Sequence, residues 1–134
     1  MMHFIYADER WDAAFESIAL RVADVLRTRG EISILLANDE AIRRYNREWR
    51  GIDAPTNVLS FATGDDELPG DIILSIDTLR REAEDEGISL EAHFAHMVCH
   101  GLLHLDGYDH IDDKDAEEME AREAEALAAA GYAL

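Results

Sequence analysis

The chain has 134 residues, 48% of them hydrophobic, and a formal net charge of −18. That length is enough to bury one core without disulfide or metal staples. The charge disfavours broad contact with nucleic acid or an anionic membrane, except through a local patch of opposite sign.

In chain order, "MMHFIYADER" has neither a basic start nor a long apolar run, so a signal peptide is not expected. Residues 2–7 suit a short strand. Trp11, Phe15, Ile18, Val22 and Leu26 then recur at helical spacing, predicting an amphipathic helix over 10–28 with Gly30 close behind. "EISILLA" (31–37) is a β-branched apolar run with the character of a buried strand. Asn38 is placed to cap a helix that opens with Asp39 and Glu40 and runs to about Trp49. "GIDAPT" (51–56) reads as a loop opened by Arg50, "NVLSFA" (57–62) as a strand, "TGDDELPG" (63–70) as a loop and "DIILSI" (71–76) as a second buried strand. A charged helix over 78–86 stops at Gly87, and Ser89 caps a helix over 90–104. Asp112 caps a last helix that ends at Gly131. No repeat or composition break divides the chain. The expectation is therefore one α+β domain over 1–134, with a small mixed sheet of about four strands flanked by helices and strand order left open.

The longest stretch without Asp, Glu, Lys or Arg is Ala92–Leu105, too short to span a membrane and carrying four histidines. The single cysteine, Cys99, rules out an internal disulfide, and the whole reads as a soluble cytoplasmic protein. Cys99 points about 100° away from His100 on a helix, so a small buried residue is the expected role.

"HGLLHLDGYDH" (100–110) concentrates the chemistry. His100 and His104 are four apart and leave one helix face together, as two ligands of one ion do. Gly107 lets the chain turn out of the helix so that His110 swings back toward the pair. Three imidazoles with a fourth position open to water make a zincin-like catalytic metal site, with zinc as the expected ion, one per chain. The spacing matches the metzincin protease skeleton. The glutamate base that follows the first histidine there is replaced by Gly101, which disfavours peptide hydrolysis. His96 extends the same face, as a fourth ligand, a partner of a ligand or a core histidine. Asp109 is placed either to orient an imidazole or to cap the turn. His93 and His3 carry no spacing argument.

A second concentration is cationic. Arg43, Arg44, Arg47 and Arg50 face only Glu48 between 41 and 50, whereas 109–125 holds nine acids against Lys114 and Arg122. Arg43, Arg47 and Arg50 fall on one helical stripe, and the guanidinium fork suits phosphate. Pairing with nearby acids on a solvated face would use the same residues.

"HGLLHLDGYDH", "WRGIDAPTNVLSF", "GDIILS" and "EAHFAHMVCHG" together resemble the YbeY family of bacterial metal-dependent endoribonucleases of ribosomal RNA maturation. The resemblance spans about residues 30–131, and "SFAT" stands where the family commonly has "SFP". It implies an α+β fold and a zinc ion on His100, His104 and His110. It also implies catalytic roles for Arg50 and His100, single-stranded RNA (notably the 3′ end of small-subunit ribosomal RNA) as substrate, and the ribosome with its small-subunit proteins as partner. With Gly101 in the base position, the nucleophile is left open between a water on the metal and the RNA 2′-hydroxyl. The acidic C-terminal helix either faces a basic ribosomal protein or is solvated surface. The competing readings are a non-enzymatic ribosome-assembly factor with a structural zinc in a closed four-ligand site, His96 being a candidate for the fourth ligand, and a metallohydrolase of peptides or small amides. Oligomeric state is not legible.

Overall fold

The structure, a computed structural model, describes residues 1–109 and 111–132. Four strands, β1 (Met2–Tyr6), β2 (Ile32–Ala37), β3 (Val58–Ala62) and β4 (Gly70–Ser75), form one sheet in the order β1-β2-β4-β3. β1, β2 and β4 run parallel, and β3 joins the β4 edge antiparallel, so the sheet is mixed as expected. Five helices complete the α+β domain: α1 (Ala13–Leu26), α2 (Asp39–Arg50), α3 (Ile76–Glu86), α4 (Leu90–Leu105) and α5 (Asp113–Ala130).

Period-two alternation sorts the strand residues between two cores. On one face Ile32, Ile34 and Leu36 of β2 and Ile72 and Leu74 of β4 meet α1, α4 and α5 in the main core. Phe15 packs edge-on against Trp11 and Phe94, which are tilted to each other, with ring centroids 4.9–5.4 Å apart, and the Trp11 indole N–H donates to the Ala37 carbonyl at 2.8 Å. On the other face Ala37, Leu59 and Ile73 meet Ala41 and Ile42 of α2 in a smaller core. β2 is central and covered on both sides, which is why its sequence is apolar almost without interruption.

Side-chain oxygens start four of the helices. Asp12, Asn38, Ser89 and Asp112 accept from Ala14, Ala41, Ala92 and Asp115 backbone N–H groups. Several boundaries shift by one to three residues from expectation, α1 among them (Ala13–Leu26 against 10–28), and two of the shifts have a clear cause. Arg50 is the last residue of α2 and does not open the loop, because the break falls at Gly51, whose left-handed conformation (φ 71°) lets its N–H close on the Arg47 and Asn46 carbonyls. Ile76 begins α3 where a strand end was expected, since β4 pairs with β2 only as far as Ser75. No helix among the described residues is long and apolar enough to cross a membrane.

Candidate metal centre

α4 carries His96, His100 and His104 on one side and buries Phe94, Ala95, Val98, Cys99, Leu102 and Leu103 on the others. The sheet fixes its depth. At Gly101 a Cβ would stand 3.1 Å from Ile72 Cδ1 and 3.2 Å from Ser60 Oγ, so helix and sheet approach where no side chain intervenes. Cys99 is fully buried, as expected. Burial, with the nearby Glu123 charge, pushes its thiol up to about 12, as for an inert core thiol.

The imidazoles of His100 and His104 meet edge-on, ring centroids 4.5 Å apart, with the two Nε2 atoms 3.0 Å from each other. Each ring is held from behind. His100 Nδ1 donates to Glu123 Oε1 at 2.6 Å, and His104 Nδ1 donates to the Tyr108 carbonyl oxygen at 3.0 Å. A carboxylate and a carbonyl only accept, so both rings donate through Nδ1, and in the neutral form that metal binding requires each presents an Nε2 lone pair. Two lone pairs converging this closely repel unless they share a cation. Two nitrogen ligands of one tetrahedral zinc lie roughly 3.3 Å apart, so the donor set suits such an ion. Among the described residues no group of three or more His, Cys, Asp and Glu side chains is placed to hold a metal. The third expected ligand, His110, lies outside the described residues. The turn leading to it follows the expectation: Asp106 ends α4, and Gly107 takes φ 97°, a conformation that non-glycine residues resist.

Glu123, on α5, is the residue that sequence reasoning missed. Its carboxylate also accepts from His96 Nε2 at 3.0 Å, which places His96 behind the pair as a partner of Glu123. Burial opposes ionisation of Glu123, but the hydrogen bonds from His100 and His96 outweigh it and bring the carboxyl down to about 2. The signal was present. Glu123 interrupts an otherwise apolar stripe of α5 formed by Met119, Ala126, Leu127 and Ala130, and an acid at a core position requires partners. His93 is elsewhere, buried against Glu82 at 2.9 Å, and His3 is exposed near Glu31.

The arginine cluster lies across the sheet. α2 packs on the face opposite α4, and the edge strand β3 stands between them, turning Leu59 and Phe61 to α2 and Val58 and Ser60 to the α4 side. Arg43 forms a fork with Asp53 at 2.8 and 3.1 Å, and Arg47 reaches the same carboxylate at 4.0 Å. Part of the stripe is thus the paired, solvated face that sequence alone also allowed. Arg50 is exposed, and no hydrogen bond or ion pair between described residues joins it to His100 or His104. Beside it, Trp49 packs on Phe61 with ring centroids 6.2 Å apart, fastening the C-terminal end of α2 to β3.

Comparison with known proteins agrees with this frame. The family model described as "Endoribonuclease YbeY" matches residues 4–131. The chain is 50% identical to the endoribonuclease YbeY of Paramagnetospirillum magneticum, covering 86% of this chain and 76% of that one. It is 46% identical to the protein of the same name from Erythrobacter litoralis, covering 96% and 90%. The fold is matched by a solution structure of a Thermotoga maritima protein at TM-score 0.74 and 23% identity, over 97% of this chain and 89% of that one.

Proposed function

Because this chain belongs to the YbeY family of endoribonucleases, which act in ribosomal RNA maturation, we propose that it cleaves single-stranded RNA, including the 3′ end of small-subunit ribosomal RNA, at a zinc centre held by His100, His104 and His110, with Arg50 engaging the phosphate. RNA as the substrate class follows from the family. The zinc, the ligand set, the role of Arg50, the ribosome as partner and a cytoplasmic location are our reading.

The observation that carries it is the convergence of two Nε2 lone pairs 3.0 Å apart, each ring locked through its Nδ1. When bound, such an ion supplies Lewis acidity toward a phosphoryl oxygen and lowers the pKa of a water to about 7. The chain's own residues do the rest. Arg50 offers a planar fork that grips a phosphodiester and offsets the charge that develops as the P–O bond breaks. The exposed position of Arg50 leaves its fork open to a polymeric substrate. Gly101 supplies no carboxylate where a peptidase keeps its base, and a Cβ there would already stand 3.1 Å from Ile72 Cδ1 and 3.2 Å from Ser60 Oγ, so a larger side chain is crowded. That disfavours the peptide and amide hydrolase reading. His96, whose Nε2 is taken up by Glu123, is poorly placed to close the site as a structural zinc would require.

Metal content and cleavage of a defined single-stranded RNA test the reading in three proteins. Wild type holds about one zinc and cuts. His104→Ala loses both metal and activity. Arg50→Ala keeps its zinc and loses turnover by about 10²-fold, the scale of removing one charge-stabilising donor. Full cleavage by a metal-free His104→Ala protein contradicts the proposal.

The net charge of −18 bears on the partner. Repulsion outside the α2 stripe makes the isolated protein a weak binder of random RNA at physiological salt, and a ribosomal surface that positions the substrate supplies what the free chain lacks. Titration of a fluorescent random oligoribonucleotide checks this. Tight, sequence-independent binding at physiological salt contradicts it.

A further inference from the structure

Glu123 is costly where it stands. Its side chain is 6% exposed, in the apolar stripe of α5, and a buried carboxylate loses several kcal/mol of hydration unless charge and hydrogen bonds replace it. An apolar residue there would pack against α4 without that cost. Both carboxylate oxygens are instead committed to α4, Oε1 to His100 Nδ1 at 2.6 Å and Oε2 to His96 Nε2 at 3.0 Å. The two histidines are used through different nitrogens, so the bridge imposes opposite tautomers on rings one helical turn apart.

We infer that Glu123 is a positioning residue for the metal centre: its carboxylate, anchored on one side by His96, fixes His100 with the proton on Nδ1 and the Nε2 lone pair turned to His104 before any ion arrives. The inference rests on the zinc reading above. Its physical basis is twofold. A carboxylate behind a ligating imidazole raises the basicity of the nitrogen that faces the metal, and it removes the tautomeric and rotameric freedom that binding would otherwise have to freeze. His104 receives a weaker version of the same support from the neutral Tyr108 carbonyl. The ligand pair is therefore asymmetric, with His100 backed by a charged acceptor at 2.6 Å and His104 by a neutral one at 3.0 Å. α5 becomes part of the site through one residue.

Long-range ¹H–¹⁵N spectra of the imidazoles in the metal-free full chain, together with competitive Zn²⁺ titration, test the role. In wild type His100 appears as the Nδ1–H tautomer and His96 as the Nε2–H tautomer. In Glu123→Gln, which keeps the shape and removes the charge, His100 becomes a mixture of tautomers, and Zn²⁺ binds about 10- to 100-fold more weakly. Neither change is expected from a residue that only fills space. Wild-type His100 found as Nε2–H overturns the role without any variant. Glu123→Gln that binds Zn²⁺ within twofold of wild type overturns it as well, whereas a wild type that takes up no Zn²⁺ overturns the metal reading and this inference with it.

Discussion

At the scale of single residues, Gly101 explains which chemistry the fold declines. Helical backbone tolerates any side chain at that position, so its glycine is required by space alone, with Ile72 Cδ1 3.1 Å and Ser60 Oγ 3.2 Å from the point where a Cβ would stand. Gly101→Ala forces α4 off the sheet by a few tenths of an ångström and costs about 1–3 kcal/mol, as overpacking a close-packed contact does. Chemical denaturation measures the cost directly. Because α4 carries the imidazoles, the same variant also binds Zn²⁺ more weakly, while an unchanged denaturation midpoint would show that the contact is slack. Gly107 differs in kind. No atom of the described residues crowds it, and its φ of 97° is what a side chain would resist. Sequence spacing exposes both glycines but separates them only in part: it marks Gly107 as a hinge and Gly101 as a missing base, and the packing that crowds any side chain at Gly101 is visible only in the fold.

At the scale of elements, the caps and the acidic clamps decide where helices meet strands. Asp39, the first residue of α2, accepts from Ser75 and Thr78 hydroxyls at 2.6 Å and from Arg81 at 2.8 Å, and its N–H donates to Asp77. Asp77 in turn pairs with Arg10 at 2.6 Å, so one network joins the entry to α1, the start of α2 and the junction of β4 with α3. Burial opposes ionisation of Asp39, but its hydrogen bonds from Ser75, Thr78 and Arg81 prevail, and its pKa lies below the ordinary carboxylate value. The Arg10 hydrogen bond lowers Asp77 likewise, against a smaller cost of burial. A carboxylate depressed in the folded state stabilises it fully above the unfolded pKa of about 4 and loses that contribution as pH falls through the folded value. Thermal stability therefore declines below about pH 4. Asp39→Ala lowers stability by about 1 kcal/mol at pH 7 and by less at pH 3, since the group is partly solvated and its contribution modest. Equal losses at both pH values would contradict the linkage. Elements of this kind were largely legible, because β-branched runs, Asn38, Ser89 and Asp112 act locally. The Glu123 bridge was not, because its partners lie 23 and 27 positions away in sequence. Pairing at that separation is set by how α5 docks on α4, and no local propensity encodes it.

At the scale of the whole molecule, the sheet is a partition. Its β1-β2-β4-β3 order could not be read from the chain, and neither could its consequence, that arginines and imidazoles, each visible as a cluster in sequence, sit on helices covering opposite faces. The edge strand β3 lies between the two clusters, since α4 packs on one of its faces and α2 on the other. That arrangement puts a cation-rich surface and a candidate metal centre on either side of a single strand. A polymeric substrate is the class of molecule long enough to engage both sides of such an edge. The central claim remains the ion itself. Zinc K-edge X-ray absorption on the purified full chain tests it most directly: the account predicts about one zinc per chain with three imidazole nitrogens at about 2.0 Å and a remaining light oxygen ligand. A spectrum with sulfur in the coordination sphere, with four histidines, or with no bound zinc at all contradicts it.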